Sequence, residues 1–180
     1  MPLTTPTWNA TFARPLFDQI IALIQRDQAA AIQIVNPAIT DPIAQFHKGF
    51  APRVQLPHMT VWAHGSSFAL EAQLARRSTS DISVAVEVGS YDQELAQELA
   101  WDWARIIDII LTSATAEDWW TALPVTYFDQ ATPSQTAPPA QGTLHAVLPL
   151  QILVDTALVE GMDKPLVRAQ WVGRFELEEI

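Results

Sequence analysis

The sequence predicts an α+β fold, in which a mainly antiparallel sheet is packed by a long amphipathic helix and another helix lies near the N-terminus. Residues 81–88 alternate between apolar and polar or small side chains, which is typical of a strand with one buried face. The apolar set of this strand is Ile82, Val84, Val86 and Val88. Directly afterwards, apolar residues recur every three or four positions from Leu95 to Ile110, which predicts a helix packed on that face.

The N-terminal part predicts an arm, a helix and a long loop. Residues 1–11 are rich in Thr and Pro and are expected to be extended. A helix follows, because Pro15 suits a first turn and an apolar stripe continues to about Ile32. The stripe begins with Leu16, Ile20, Leu23 and Ile24. Residues 37–57 contain four prolines and are expected to form a long irregular loop, of a kind that partners often order.

The middle of the chain predicts three strands and the long helix. The strands are expected at Met59–His64, Phe68–Arg77 and Asp81–Val88, with a turn at residues 65–67. Ser90 followed by Gln93 has the spacing of a capping box, which predicts the start of a helix over Tyr91–Thr112.

The C-terminal third predicts three more strands. They are expected at residues 124–129, at Leu144–Asp155 and over residues 168–177, with a proline-rich loop at residues 130–142 after the first. Proline cannot donate to a ladder, so the second of these strands should be an edge strand or bulged at Pro149. One face of that strand is expected to carry Leu144, Ala146, Leu148, Leu150, Ile152 and Val154.

The composition indicates a globular chain and excludes several kinds of reactive site. With 180 residues and 49% apolar content, residues 1–180 are expected to form a single domain with a full core. Cysteine is absent, which excludes disulfides, thiolate zinc sites and cysteine nucleophiles. We expect no signal peptide and no membrane span, because the first residues lack the required pattern and the longest apolar stretch is short and interrupted.

Neither the histidines nor the carboxylates predict a reactive site. His58 and His64 would lie roughly 20 Å apart on one strand, too far to share a metal ion within it. A site would have to recruit His47 or His145 from elsewhere in the chain, and since neither an HxH nor an HExxH spacing occurs, no metal site is expected. Glu94, Glu98 and Asp102 stack along one helix face, and such acidic stripes usually face solvent. No nucleophile elbow and no phosphate-binding glycine loop occurs. We therefore expect no catalytic residue, no cofactor and no enzymatic activity.

The excess of acidic over basic residues argues against some modes of nucleic-acid binding. Twenty acidic residues against ten basic ones give a formal charge of −10, which argues against tight binding of DNA or RNA by the outer surface. The charge is compatible with a passage through which DNA slides, because a negative lumen repels the phosphate backbone.

Five stretches together carry a family resemblance, by their order and pattern and without a diagnostic residue. They are the helix Leu16–Ile24, the strand phrase Leu56–Trp62, the strand Asp81–Val88, the helix Asp92–Leu111 and the apolar strand Leu144–Val154. Over residues 13–177 this order resembles the tail terminator (tail completion) proteins of tailed bacteriophages and prophages.

The resemblance implies a structural virion protein, assembled in the host cytoplasm, that forms a ring, commonly a hexamer, at the tail–neck junction. Its implied partners are other copies of itself, the tail tube and neck or adaptor proteins, while DNA passes through the lumen without specific binding. The loops at 37–57 and 130–142 would order against these partners. We expect subunit contacts at Trp119, Trp120, Trp171, Phe175 and Leu177, because large apolar residues are enriched at interfaces.

Two other interpretations stay open at this point. The abundance of Trp and the long loop after Val35 depart from the terminator pattern, which leaves another ring of the neck, a stopper or an adaptor. The other is an enzyme or a non-viral α+β domain that binds a small ligand between sheet and helix, which would need polar residues beneath the long helix, where the sequence places apolar ones.

A ring also needs a heterologous contact that closes. We expect the last strand, residues 168–177, to provide it by adding to the sheet edge of a neighbouring subunit.

Overall fold

The computed structural model describes residues 8–49, 56–70, 76–89, 92–115, 142–157 and 166–179. Within these ranges lie two helices and five strands. In chain order they are α1 (Trp8–Val35), β1 (Gln45–Lys48), β2 (His58–Leu70), β3 (Arg76–Gly89), α2 (Gln93–Ser113), β4 (Gly142–Ala157) and β5 (Leu166–Glu179). The predicted α+β class, with an N-terminal helix and a long second helix, is confirmed.

The strands form one sheet in the order β1-β2-β3-β5-β4. β1 runs parallel to β2, and the other three neighbouring pairs are antiparallel, so the sheet is mainly antiparallel as predicted. β5 lies between β3 and β4 and is paired on both sides. Within this sheet, the two outermost strands are therefore β1 and β4.

Both helices share one hydrophobic core with one face of the sheet. The four apolar residues predicted to point inward from β3 are all buried, which confirms the alternation of that strand. On α2 the buried row includes Ala96, Ala100, Trp103, Ile107 and Ile110. Leu95, predicted to start this row, is exposed, because it lies about 100° around the helix from Ala96.

Asp92 is the N-cap of α2. Its carboxylate accepts hydrogen bonds from the backbone N–H groups of Glu94 and Leu95, at 3.0 and 3.3 Å, and so satisfies two donors that the helix leaves free. The helix therefore begins at Gln93, and the predicted start at Tyr91 is wrong by two residues. Ser90, predicted to cap it, lies outside the described residues.

β2 is one continuous strand in a region where the sequence predicts two strands and a turn. The predicted turn at residues 65–67 is wrong. β2 has one extra residue relative to β3, and a register shift between Ala63 and Gly65 accommodates it, so the two strands stay paired beyond this point. Residues 68–70 consequently belong to β2 and residues 76–77 to β3, while residues 71–75 lie outside the described part.

Two N-terminal predictions are corrected. Residues 8–11 belong to α1 and not to an extended arm, and the predicted loop at 37–57 contains β1. The segment before β1 is tied to α1, because the side-chain amide of Gln28 bonds both backbone groups of Ile43, at 3.0 and 3.1 Å. The predicted strand at 124–129 and the loop at 130–142, except Gly142, lie outside the described residues.

β4 confirms both parts of the expectation for Pro149. It is an outermost strand of the sheet, and its register with β5 shifts between Pro149 and Gln151. The extra residue reverses the alternation, so that Val147 packs on the core before the bulge and Ile152 and Val154 after it. The single apolar face predicted for this strand is therefore wrong, because the ladder with β5 shifts its register twice, between Leu144 and Ala146 and between Pro149 and Gln151.

Of Gly49, Gly89 and Gly173, Gly173 is the position where an added Cβ atom would make the closest contacts. A Cβ atom there would lie less than 3 Å from three ring carbons of Trp171. We expect Gly173→Ala to lower the free energy of unfolding by about 1–3 kcal/mol, because the buried indole would have to shift.

Gly89→Ala is the matched control for this variant. Its Cβ would approach only the end of the flexible Leu56 side chain, so a smaller loss is expected. Urea denaturation of both variants measures the two free energies, and equal losses would contradict the predicted role of the indole.

Candidate functional site

The acidic stripe of α2 forms no reactive cluster. Glu94 and Glu98 are exposed. Asp102 accepts a hydrogen bond from the Asn36 side-chain amide at 2.8 Å, which joins the end of α1 to the middle of α2. Among the described residues, no group of three or more His, Cys, Asp or Glu side chains is arranged to hold a metal ion.

A cleft of about 330 Å³ opens beside the first half of α2. Its walls are Ala38, Ile39, Thr40, Asp41, Leu56, Pro57, Val88, Gly89, Leu99 and Trp103. Asp41 is the one ionisable residue in this set, so the described walls of the cleft offer no acid–base pair. It does not favour the interpretation of the chain as an enzyme.

The sheet face directed away from the helices, here called the outer face, carries two cross-strand ion pairs. Asp81 and Arg174 are opposite each other on β3 and β5, and the guanidinium contacts both carboxylate oxygens at 2.8 and 3.0 Å. Glu87 and Arg168 are opposed near the other end of the same ladder, with Arg168 Nε 2.8 Å from Glu87 Oε1. Both pairs favour the same register of β3 against β5.

The partners of these carboxylates lower their pKa values. The hydrogen bond from Arg174 lowers the pKa of Asp81. For Glu87 the main cause is the hydrogen bond from His58, to which Arg168 adds, and the pKa falls from 4.5 to about 2 although burial opposes the change. His58 itself is buried, with Nε2 3.2 Å from Glu87 Oε2. Both carboxylates are thus charged and paired at neutral pH.

At the centre of the outer face, polar side chains from three strands form hydrogen bonds with one another. Ser83 is fully buried, and its hydroxyl accepts a hydrogen bond from the Gln170 side-chain amide at 2.9 Å. The His64 ring also bonds this hydroxyl and lies against Trp62, with ring centroids 5.9 Å apart. His64 therefore has a packing role on this face.

An exposed apolar surface lies along β4. Leu148, Leu150 and Leu153 are 44, 46 and 42% exposed, and together with Pro149 they form what we call the β4 leucine edge. An exposed apolar strand at the side of a sheet can pair with a strand of another chain, unless a charge, a proline or a bulge prevents it. The bulge at Pro149 interrupts such pairing and limits which strands fit β4.

Of the residues predicted for the subunit interface, Trp171 and Phe175 lie in the core of the chain. Both are 0% exposed and leave no surface for a neighbour, because their rings pack against each other and beneath α2. Trp119, Trp120 and the side chain of Leu177 lie outside the described residues, so their interface role stays a prediction.

The predicted addition of residues 168–177 to a neighbouring sheet is wrong. β5 is already paired on both sides within its own chain. Sequence reasoning missed the β4 leucine edge, because strict alternation placed Leu148 and Leu150 on the buried face. The signal that could have found it is Pro149, which marks both the outermost position and the bulge.

Glu87 makes the stability of the fold depend on pH. Its pKa is lower in the folded chain, so its stabilising effect is complete above about pH 4.5 and is lost as the pH falls through about 2. We expect Glu87→Gln to destabilise the chain at neutral pH, and the difference from the wild type to shrink as the pH falls through this window. Denaturant unfolding at several pH values measures it.

The control is Glu98→Gln, which removes a carboxylate from an exposed position of α2. A Glu87→Gln difference that stays constant between pH 6 and about 2 would contradict the role of the ion pair.

No family model matches this sequence, and no curated protein matches it. Within the described residues, no helix is long and apolar enough to cross a membrane. Among solved structures, the chain is similar to a chain in the virion of a native gene transfer agent (GTA) particle. The two share 15% sequence identity with a TM-score of 0.46, and the match covers 88% of this chain and 93% of that one.

Proposed function

We propose that this protein is a structural subunit of a virion of the tailed-phage type, and that it forms a closed ring at the tail–neck junction. In this role it ends the tail tube and joins it to the neck proteins. The observation that carries the proposal is the β4 leucine edge, an apolar surface on an outermost strand that self-association would cover. The order of the elements, which resembles the tail terminator proteins, supports the placement in a virion.

The two outermost strands of the sheet suit a contact that repeats around a ring. β4 and β1 differ in sequence and length, so pairing one with the other is heterologous, which is what a ring requires. β1 is parallel to β2, and three antiparallel steps separate β2 from β4. β4 therefore runs opposite to β1, and a continued sheet would pair them in antiparallel fashion.

The register across the sheet indicates which residues would meet. One row of opposed residues crosses all five strands through Gln45, His58, Glu87, Arg168 and Asp155. A second row joins Lys48 to Ile152 in the same way. If the sheet continues without stagger, β1 of one copy lies opposite residues 152–155 of the next, beside Leu153 of the leucine edge.

The remaining features agree with a structural role. The row of α2 that packs on the sheet is apolar, and the ion pairs of the outer face serve the register of the strands. The net charge of −10 suits a ring through which DNA passes without being held. A stopper or adaptor ring would share these properties, and the partner at each face of the ring distinguishes it from a terminator.

The native mass of the purified protein, with negative-stain images of its largest species, tests the proposal. We expect the wild type to form rings, commonly hexamers, with a central hole wide enough for a DNA duplex. We expect Leu153→Lys to be monomeric with an unchanged circular dichroism spectrum, because the added charge would lie among the residues that pair at each contact.

The matched control is Ile34→Lys, which places the same charge at an apolar position of α1 that is 71% exposed. This variant should assemble like the wild type. Rings that form equally well from the leucine-edge variant would contradict the proposed contact.

A further inference from the structure

Three buried polar atoms at the β1 side of the outer face have no hydrogen-bond partner among the residues that the structure describes. They are Oε1 of Gln45, Nε2 of His47 and Nδ1 of His58. Gln45 and His58 are directly opposed in the β1–β2 ladder, and the His47 ring packs against the His58 ring. A buried polar atom without a partner destabilises the fold, so three in one place indicate a missing partner that they share.

The two imidazoles have the separation that a shared metal ion requires. Their ring centroids are 5.8 Å apart and the rings are inclined at 82°. A metal bound at 2.0–2.1 Å from a ring nitrogen lies about 3.2 Å from that ring's centroid, so two histidines on one tetrahedral ion have centroids about 5–6 Å apart. The observed separation lies within this range.

His58 is held in the form that a metal ligand needs. Its Nε2 faces the Glu87 carboxylate, which can only accept, so Nε2 carries the proton and Nδ1 keeps a free electron pair. Glu87 is held in turn by Arg168. A carboxylate behind a histidine is the usual support of a metal-bound imidazole, because it fixes the tautomer and the ring orientation.

We propose that His47 Nε2 and His58 Nδ1 bind a divalent transition-metal ion such as Zn²⁺, with Gln45 Oε1 as a weaker third ligand. Imidazole nitrogen favours zinc, nickel and copper over calcium and magnesium, which prefer sets of oxygen ligands. Such a site leaves at least one position open to water or to a partner's side chain. His47 is partly exposed, so the ion can reach the site from solvent.

Isothermal titration calorimetry of the full chain with zinc chloride tests this site. We expect one ion per chain with saturable binding in the wild type, and no saturable binding in His47→Gln, which lacks one of the two imidazole ligands. Glu87→Gln should weaken binding by about tenfold without removing a ligand, which separates its supporting role from that of the histidines. His64→Gln, at the exposed histidine bonded to Ser83, is the matched control and should bind like the wild type.

Circular dichroism at each titration temperature ensures that the variants are folded. Absence of saturable zinc binding would overturn the proposal and leave a buried water molecule as the shared partner. Binding that survives His47→Gln or is lost in His64→Gln would also overturn it. None of these results depends on whether the chain forms rings.

Discussion

The position of Trp171 is the constraint on which the rest of the structure depends. Its ring is fully buried, lies over Gly173 and meets Phe175 edge to face, with centroids 6.2 Å apart. Its indole N–H donates to Asp108 on α2 at 2.9 Å. One side chain thus anchors β5 to the helix that covers it, and a glycine two residues away gives the ring its space.

The pairing of β5 on both sides leaves other strands at the outside of the sheet. β5 is central and cannot serve a neighbouring subunit, so the outermost positions fall to β1 and β4. The outer-face ion pairs of Asp81 and Glu87 hold β5 against β3 from the other side of the sheet. The β4 leucine edge is exposed because Leu148 and Leu153 lie opposite Arg174 and Gln170 of β5, which are on the outer face.

Local patterns in the sequence were sufficient for the α+β class, the inward face of β3, the extent of α2 and the special position of Pro149. They failed where one extra residue in a strand changes which of the following side chains face the core. At Ala63–Gly65 and at Pro149–Gln151 a register shift replaces a turn or reverses an alternation, and neither outcome follows from residue spacing. The central place of β5 was also hidden, because strand order depends on packing between segments far apart in the chain. The pairing of His47 with His58 was missed for the same reason.

Cross-linking between the two outermost strands tests the central claim most directly. The chain has no cysteine, so Ala44→Cys beside β1 and Asp155→Cys on β4, both at exposed positions, add the only thiols. With a short bis-maleimide, we expect the double variant to give a ladder of linked species up to the closed ring, and each single variant to stay unlinked. Dimers from Asp155→Cys alone would indicate an isologous contact of β4 with itself and would contradict the ring account.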